Sequence, residues 1–148
     1  MTKLLVRNLC VLALTLICLA CENGGNASRA PEIVLFAFSM LGDAEGIQDF
    51  VAQTNDPDVI ANGRAQLALP LEQRHLFIIG PIARGNGGVN HPWNWHFVPN
   101  EWSSTEVSIE LCDGNAVLVE QAVDYWVDTV GQFCPWGAHV VGQSNIVP

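Results

Sequence analysis

Two alternating runs carry the residues best able to do chemistry. In 93–98, Trp93, Trp95 and Phe97 face one way, and Asn94, His96 and Val98 face the other. In 105–112, Val107, Ile109 and Leu111 share a face opposite Glu106, Ser108, Glu110 and Cys112. Pairing the apolar faces as a hairpin predicts Trp95 opposite Ile109. It also sets His96 opposite Ser108 and diagonal to Glu110, within reach of long side chains. A slip of one residue would flip every side chain, so this register is the fragile step. An imidazole beside a carboxylate can move a proton or ligate a metal. The candidate binding set is therefore Asn94, His96, Ser108, Glu110, Asp113 and Trp102. Its enzymatic reading is a small extracytoplasmic hydrolase or metal-dependent enzyme using His96, Glu110 and Asp113. The plainer reading has His96 and Glu110 bonded to one another as a brace. Two protein ligands leave a zinc site incomplete, and no H-E-x-x-H, C-x-x-C or G-x-S-x-G run is present. No catalytic residue, metal or cofactor is assigned.

All five tryptophans lie in 91–136. Trp93 and Trp95 occupy the face that a helix should cover, which makes them core. Trp102 sits in the connection and is the best candidate for an exposed contact to a glycan or protein, although single exposed aromatics are common. His75, His91 and His139 have no partner spacing and read as surface or core residues.

The clearest periodic element is a helix over 116–130, capped by Asn115 and stopped by Gly131. Val119, Ala122, Val123, Trp126, Val127 and Val130 form its apolar stripe. Glu120, Asp124 and Asp128 form an acidic one, read as a solvated face, with contact to cations or a basic partner as the alternative. Before it, 33–40 is a continuous apolar run and a buried strand, and 50–54 is a weaker strand. Asp56-Pro57 starts a helix carrying Ile60, Ala61, Arg64, Leu67 and Ala68, closed by Pro70. Gly63 weakens it by about 1 kcal/mol relative to alanine. Residues 75–82 read as one buried strand, with Gly80-Pro81 making it an edge or bulged one. The 84–90 loop is glycine-rich but lacks the lysine of a phosphate-binding loop. Residues 139–143 form a final short edge strand. The fold expected is α+β: a small, mainly antiparallel sheet with two helices, in a single domain (32–148) with one disulfide.

The N-terminus points outside the cytosol. Lys3 and Arg7 precede twelve uncharged residues, 9–20. That run is too short to span a bilayer core of about 30 Å and has the length of a signal-peptide core. Cleavage after Ala20 would remove Cys10 and Cys18 and leave Cys21, Cys112 and Cys134. Lipid on Cys21 would leave Cys112 and Cys134 as a pair, with no odd thiol. The Leu19-Ala20-Cys21 ending resembles a lipobox, with Cys18 standing in the usual leucine position. Residues 21–31 then form a Gly/Asn/Ser-rich tether. Plain secretion and an uncleaved anchor remain the alternatives, and in a eukaryotic source Asn26-Ala27-Ser28 would be a glycosylation sequon. Membrane contact is thus expected through lipid on Cys21. Beyond residue 20 the chain has four arginines, no lysine and fifteen acids, a formal charge of 4 − 15 = −11. That excludes nucleic acid as a partner on charge grounds and leaves an unknown extracellular protein or glycan.

Asn90, His91-Pro92-Trp93, His96, Pro99, Ile109-Glu110-Leu111-Cys112-Asp113 and Cys134-Pro135-Trp136, in this order, resemble a family of exported domains. It is named for the N-terminal domain of a slime-mould protein, BP-seventy-four. The resemblance runs from the Phe36-Ala37-Phe38 strand to the strand after Cys134-Pro135-Trp136, covering 33–143. It departs at Phe133, where the family often has tryptophan, and in a shorter connection before Cys134. It implies an exported fold and no particular chemistry. The function expected is an exported, lipid-anchored binding or adhesion domain, with the enzyme above or an inhibitor of extracellular proteases as alternatives.

Overall fold

The computed structural model describes residues 31–47 and 49–146. The expected signal peptide, Cys21 and nearly all of the tether lie outside the described residues.

Ile33–Met40 forms β1, which turns Val34, Phe36 and Phe38 inward. Phe50–Thr54 forms β2, antiparallel to β1, with Phe38 opposite Phe50 and their rings stacked 5.3 Å apart. The last strand runs antiparallel along the other side of β1, giving the order β2-β1-last strand. It spans Ala138–Ile146, longer than the short edge strand expected. Its register shifts once, so that Phe38 pairs with Val140 and Ala37 with Gly142.

Pro57–Leu67 forms α1, capped by Asp56, whose carboxylate accepts from the N–H groups of Asp58 and Val59 at 2.8 and 3.2 Å. Its buried face is Val59, Ile60, Gly63 and Gln66. Ala61, Arg64 and Ala68, expected on that face, are exposed. A Cβ at Gly63 would stand 2.5 Å from Cζ of Phe36, so the residue that weakens the helix locally lets it rest on β1. Gln66 Oε1 accepts from His75 N and Leu76 N at 3.0 and 3.2 Å and steers the chain into the next strand.

That strand is not the single run expected. It divides into β3, Phe77–Ile79, and β4, Ile82–Arg84. Between them Gly80 exchanges both backbone hydrogen bonds with Phe133. A side chain at Gly80 would collide with Cβ of Trp102 at 2.6 Å. The change of partner at Gly80 decides the next pairings. Trp95–Phe97 forms β5 on β4, and Ser103–Thr105 forms β6 on β3. The expected hairpin between 93–98 and 105–112 therefore does not form: His96 lies opposite Ala83, and Trp95 opposite Arg84.

β6 ends early for a local reason. Thr105 Oγ1 accepts from Val107 N at 3.2 Å and donates to Val107 O at 2.9 Å, turning the chain out of the sheet. Val107, Ile109 and Leu111 alternate in sequence yet are 79%, 58% and 63% exposed. Glu110–Cys112 is one 3-10 turn that brings Cys112 inward to Cys134. The two cysteines are disulfide-bonded, with Cα atoms 5.1 Å apart, both fully buried against Phe77. This is the pairing expected.

The last helix starts as expected, with Asn115 Oδ1 accepting from Leu118 N at 2.9 Å. It is not continuous. Ala116–Gln121 forms α2, the chain breaks at Ala122 (φ −147°, ψ 44°), and Val123–Tyr125 and a π-helical stretch Trp126–Val130 follow. Gly131, at φ 78°, ends it. Ala122 is exposed, so the stripe is Val119 and Trp126 buried with Val123, Val127 and Val130 half-buried. The last strand, Ala138–Ile146, is β7. Val119, Trp126 and Phe133 meet Phe50, Trp93, Trp95 and Phe97 in one core. Trp95 is fully buried in it, 5.6 Å from Phe50, 6.0 Å from Phe97 and 5.4 Å from Phe133 between ring centroids.

Candidate functional site

Residues of the tryptophan-rich 90–102 segment hold a strand edge. β2 bonds to β1 on one side, which leaves a row of backbone groups along the other. Side chains from 90–102 satisfy them in turn. Trp93 Nε1 donates to Asp49 O and Trp102 Nε1 to Gln53 O, both at 2.7 Å. Asn90 Oδ1 accepts from Val51 N at 2.8 Å, and Asn100 Oδ1 from Asn55 N at 2.6 Å. Asn90 is fully buried, and its Nδ2 donates to Trp95 O at 2.9 Å. Bare strand edges invite pairing with other chains, and this row of side chains closes one. Trp102, expected as an exposed contact, is 3% exposed because its ring packs edge-on to Phe36 and Phe38 while its N–H serves β2.

The other candidates part company. Asn94 donates to Glu120 through its backbone N (2.8 Å) and Nδ2 (2.6 Å). Arg84 reaches Asp124 at 2.7 Å and Asp128 at 2.6 Å, and these carboxylates raise its pKa above the ordinary value. The acidic stripe is thus not simply a solvated face; it meets a cation supplied by β4 of the same chain. His96 Nδ1 lies 2.7 Å from Gly85 O, and a Cβ on Gly87 would strike the imidazole at 2.6 Å, so the glycine loop folds over this ring. Ser108 Oγ lies 3.3 Å from Cys112 Sγ. Glu110 is exposed on the 3-10 turn, and Asp113 Oδ1 accepts from Trp136 N at 2.9 Å. The brace predicted between His96 and Glu110 is absent, since the two lie on different substructures. Among the described residues, no three His, Cys, Asp or Glu are grouped to hold a metal ion.

Ser108 instead lines an open cleft of about 420 Å³ that sequence spacing did not reveal, and Asp113 holds the backbone of a tryptophan in its wall. The cleft is lined by His75, Phe77, Glu106, Val107, Ser108 and Trp136. Four of the five tryptophans are buried, and Trp136 is 41% exposed. Its backbone is fixed by Asp113, and the preceding residue but one is the disulfide-bonded Cys134, whose N–H donates to Cys112 O at 2.8 Å. Its ring lies 6.5 Å from that of Phe77. In the same cleft, His75 Nε2 and Glu106 Oε1 are 2.8 Å apart. The pairing of β3 with β6 places that pair, by setting Phe77 opposite Thr105 and so His75 and Glu106 just beyond.

The model of the BP-seventy-four N-terminal domain family matches residues 33–146, from the first residue of β1 to the last of β7. The chain belongs to the BP-seventy-four N-terminal domain family. No curated protein and no solved structure matches it. The span of the BP-seventy-four domain includes both the β2 brace and the Trp136 cleft. In this member, Asn90 and Trp93 of the motif hold β2 and the residue before it, while Trp136, fixed by Asp113, lines the cleft.

Sequence reasoning missed His75, Phe77, Glu106 and Trp136. The available signal was the Cys134-Pro135-Trp136-Gly137 run: a tryptophan outside any periodic element, next to a crosslink and a glycine, has little to bury it. A second recess, about 200 Å³, lies beside Met40, Leu41, Leu71, His139 and Val141. His139 is 6% exposed, and its Nδ1 has no hydrogen-bond partner. Burial lowers its pKa, and the charges of Arg74 and His75 add to that, against a hydrogen bond to the backbone of Leu76.

Proposed function

We propose that this BP-seventy-four domain is an exported binding module, held at the cell surface through lipid on Cys21, that captures its ligand without catalysis in the Trp136 cleft. One observation carries the reading: a half-exposed indole, anchored by a disulfide-bonded neighbour and a carboxylate, shares a concave surface of ligand-binding size with the His75–Glu106 pair. Such preorganisation lowers the entropic cost of binding. The signal-like N-terminus, the tether and the Cys112–Cys134 bond support location outside the cytosol, where disulfides persist. Several acyl chains on one cysteine would anchor the domain stably, where a single chain would not.

The test has two arms. Intact mass of the exported protein, with and without reduction, should show loss of residues 1–20, an acyl adduct on Cys21 and two hydrogens gained on reduction. Cells displaying the protein should bind an extracellular surface, and Trp136→Ala should remove that binding while leaving the surface level of the protein unchanged. A retained N-terminus, or binding indifferent to Trp136, would refute the corresponding half.

A further inference from the structure

We infer that the ligand of the Trp136 cleft is a neutral carbohydrate; this rests on the binding-module reading and deepens it. The lining of the cleft is of two kinds. One is aromatic: Trp136, 41% exposed, beside Phe77. The other is polar: Glu106 and His75, with Ser108 at its edge. A pyranose ring has the same division. Its C–H faces are apolar and slightly positive, which suits the negative face of an indole. Its rim is hydroxyl, each group both donor and acceptor. A carboxylate accepts only, and Glu106 uses Oε1 for His75, leaving Oε2 for a hydroxyl donor. Ser108 Oγ is held by a contact to sulfur, a weak partner that a sugar hydroxyl outcompetes.

Charge narrows the class. Glu106 lines the site and the whole chain carries a formal charge of −9, so phosphate, sulfate and uronate groups are repelled. Size separates a sugar from a protein partner. A stable protein interface buries at least about 1,200 Å² in total. The cleft, at about 420 Å³, falls in the small-ligand range.

The experiment uses the exported protein with its tether. The probes are methyl glucoside, methyl galactoside, methyl mannoside, N-acetylglucosamine, heparin as a polyanion, and an apolar peptide. Binding is read by calorimetry and by shifts of the indole signals. At least one neutral sugar is expected to bind in the millimolar range, shifting the Trp136 indole. Trp136→Ala and Glu106→Ala should each weaken that binding by at least about tenfold, and Trp136→Phe by only a few-fold. Heparin should neither bind nor compete. Glu106 is 62% exposed in its side chain, so Glu106→Ala keeps the test valid if Trp136→Ala folds poorly. Silence from all four sugars, or sugar binding untouched by both alanine variants, overturns the inference. Should the peptide alone bind, through Trp136, the carbohydrate falls while the binding module stands. If no probe binds and displaying cells bind no surface, both fall.

Discussion

Removing the side chain of Asn90 tests the β2 brace where it is most buried. In Asn90→Ala, Val51 N–H and Trp95 C=O lose their partners together. Trp95 and Asn90 are fully buried, so water cannot replace the bond to the carbonyl. Val51 is half-buried, and water reaches its N–H in part. A stranded buried group costs about 1–3 kcal/mol, and the pair about 3 kcal/mol. That is a large share of the roughly 5–15 kcal/mol typical of a domain. In urea, with m of about 1.5 kcal/mol/M, the midpoint should fall by about 2 M at unchanged m. Asn90→Asp discriminates further. It keeps an acceptor for Val51 N but sets an oxygen against Trp95 O, so it should be at least as damaging as alanine. A loss under about 0.5 kcal/mol for alanine, or an aspartate variant as stable as the parent, would refute the reasoning.

Other perturbations separate the parts of the structure. Gly63→Ala should destabilise by about 1–3 kcal/mol in chemical melts despite alanine's better helix propensity, because its Cβ would stand 2.5 Å from the Phe36 ring. Replacing both Cys112 and Cys134 by alanine should cost about 3 kcal/mol, by closure of a loop of sequence separation 22, and should loosen Trp136 as seen by acrylamide quenching. His139 has a folded pKa below the ordinary 6.5, so its neutral form stabilises the fold. That stability should be complete above about pH 6.5 and be lost as pH falls from there toward the folded value. Comparing melts of the parent and His139→Leu across that range checks it: the variant should show a flatter profile.

How much of this was legible in the sequence depends on where each residue's partners lie. The strand at Ile33–Met40, the cap at Asp56, the stop at Gly131 and the Cys112–Cys134 bond follow from local rules or from counting. The hairpin did not, because alternation shows a face but not a neighbour. Val107, Ile109 and Leu111 alternate like a strand, yet a hydroxyl at Thr105 and a crosslink at Cys112 take that segment out of the sheet. Gly80 decides the pairing through contacts to Phe133 and Trp102, 53 and 22 residues away, and no local pattern contains that. For the same reason the site residues were misplaced. His96 and Glu110 are near in sequence but serve different substructures, whereas His75 and Glu106 meet across the pairing of β3 with β6. Trp102 was misplaced as an exposed contact because its indole N–H finds the carbonyl of Gln53 at a distance the sequence does not encode.

Hydrogen exchange at the indole N–H groups tests the division between brace and binding face most directly. Trp93 and Trp102 donate to the carbonyls of Asp49, just before β2, and Gln53, within it, and both are buried, whereas Trp136 is exposed. The indole protons of Trp93 and Trp102 should exchange slowly, at rates approaching those of the core amides, while that of Trp136 exchanges at close to the rate of a free indole. A Trp102 proton that exchanges as fast as that of Trp136, or a Trp136 proton as protected as that of Trp93, would contradict the account.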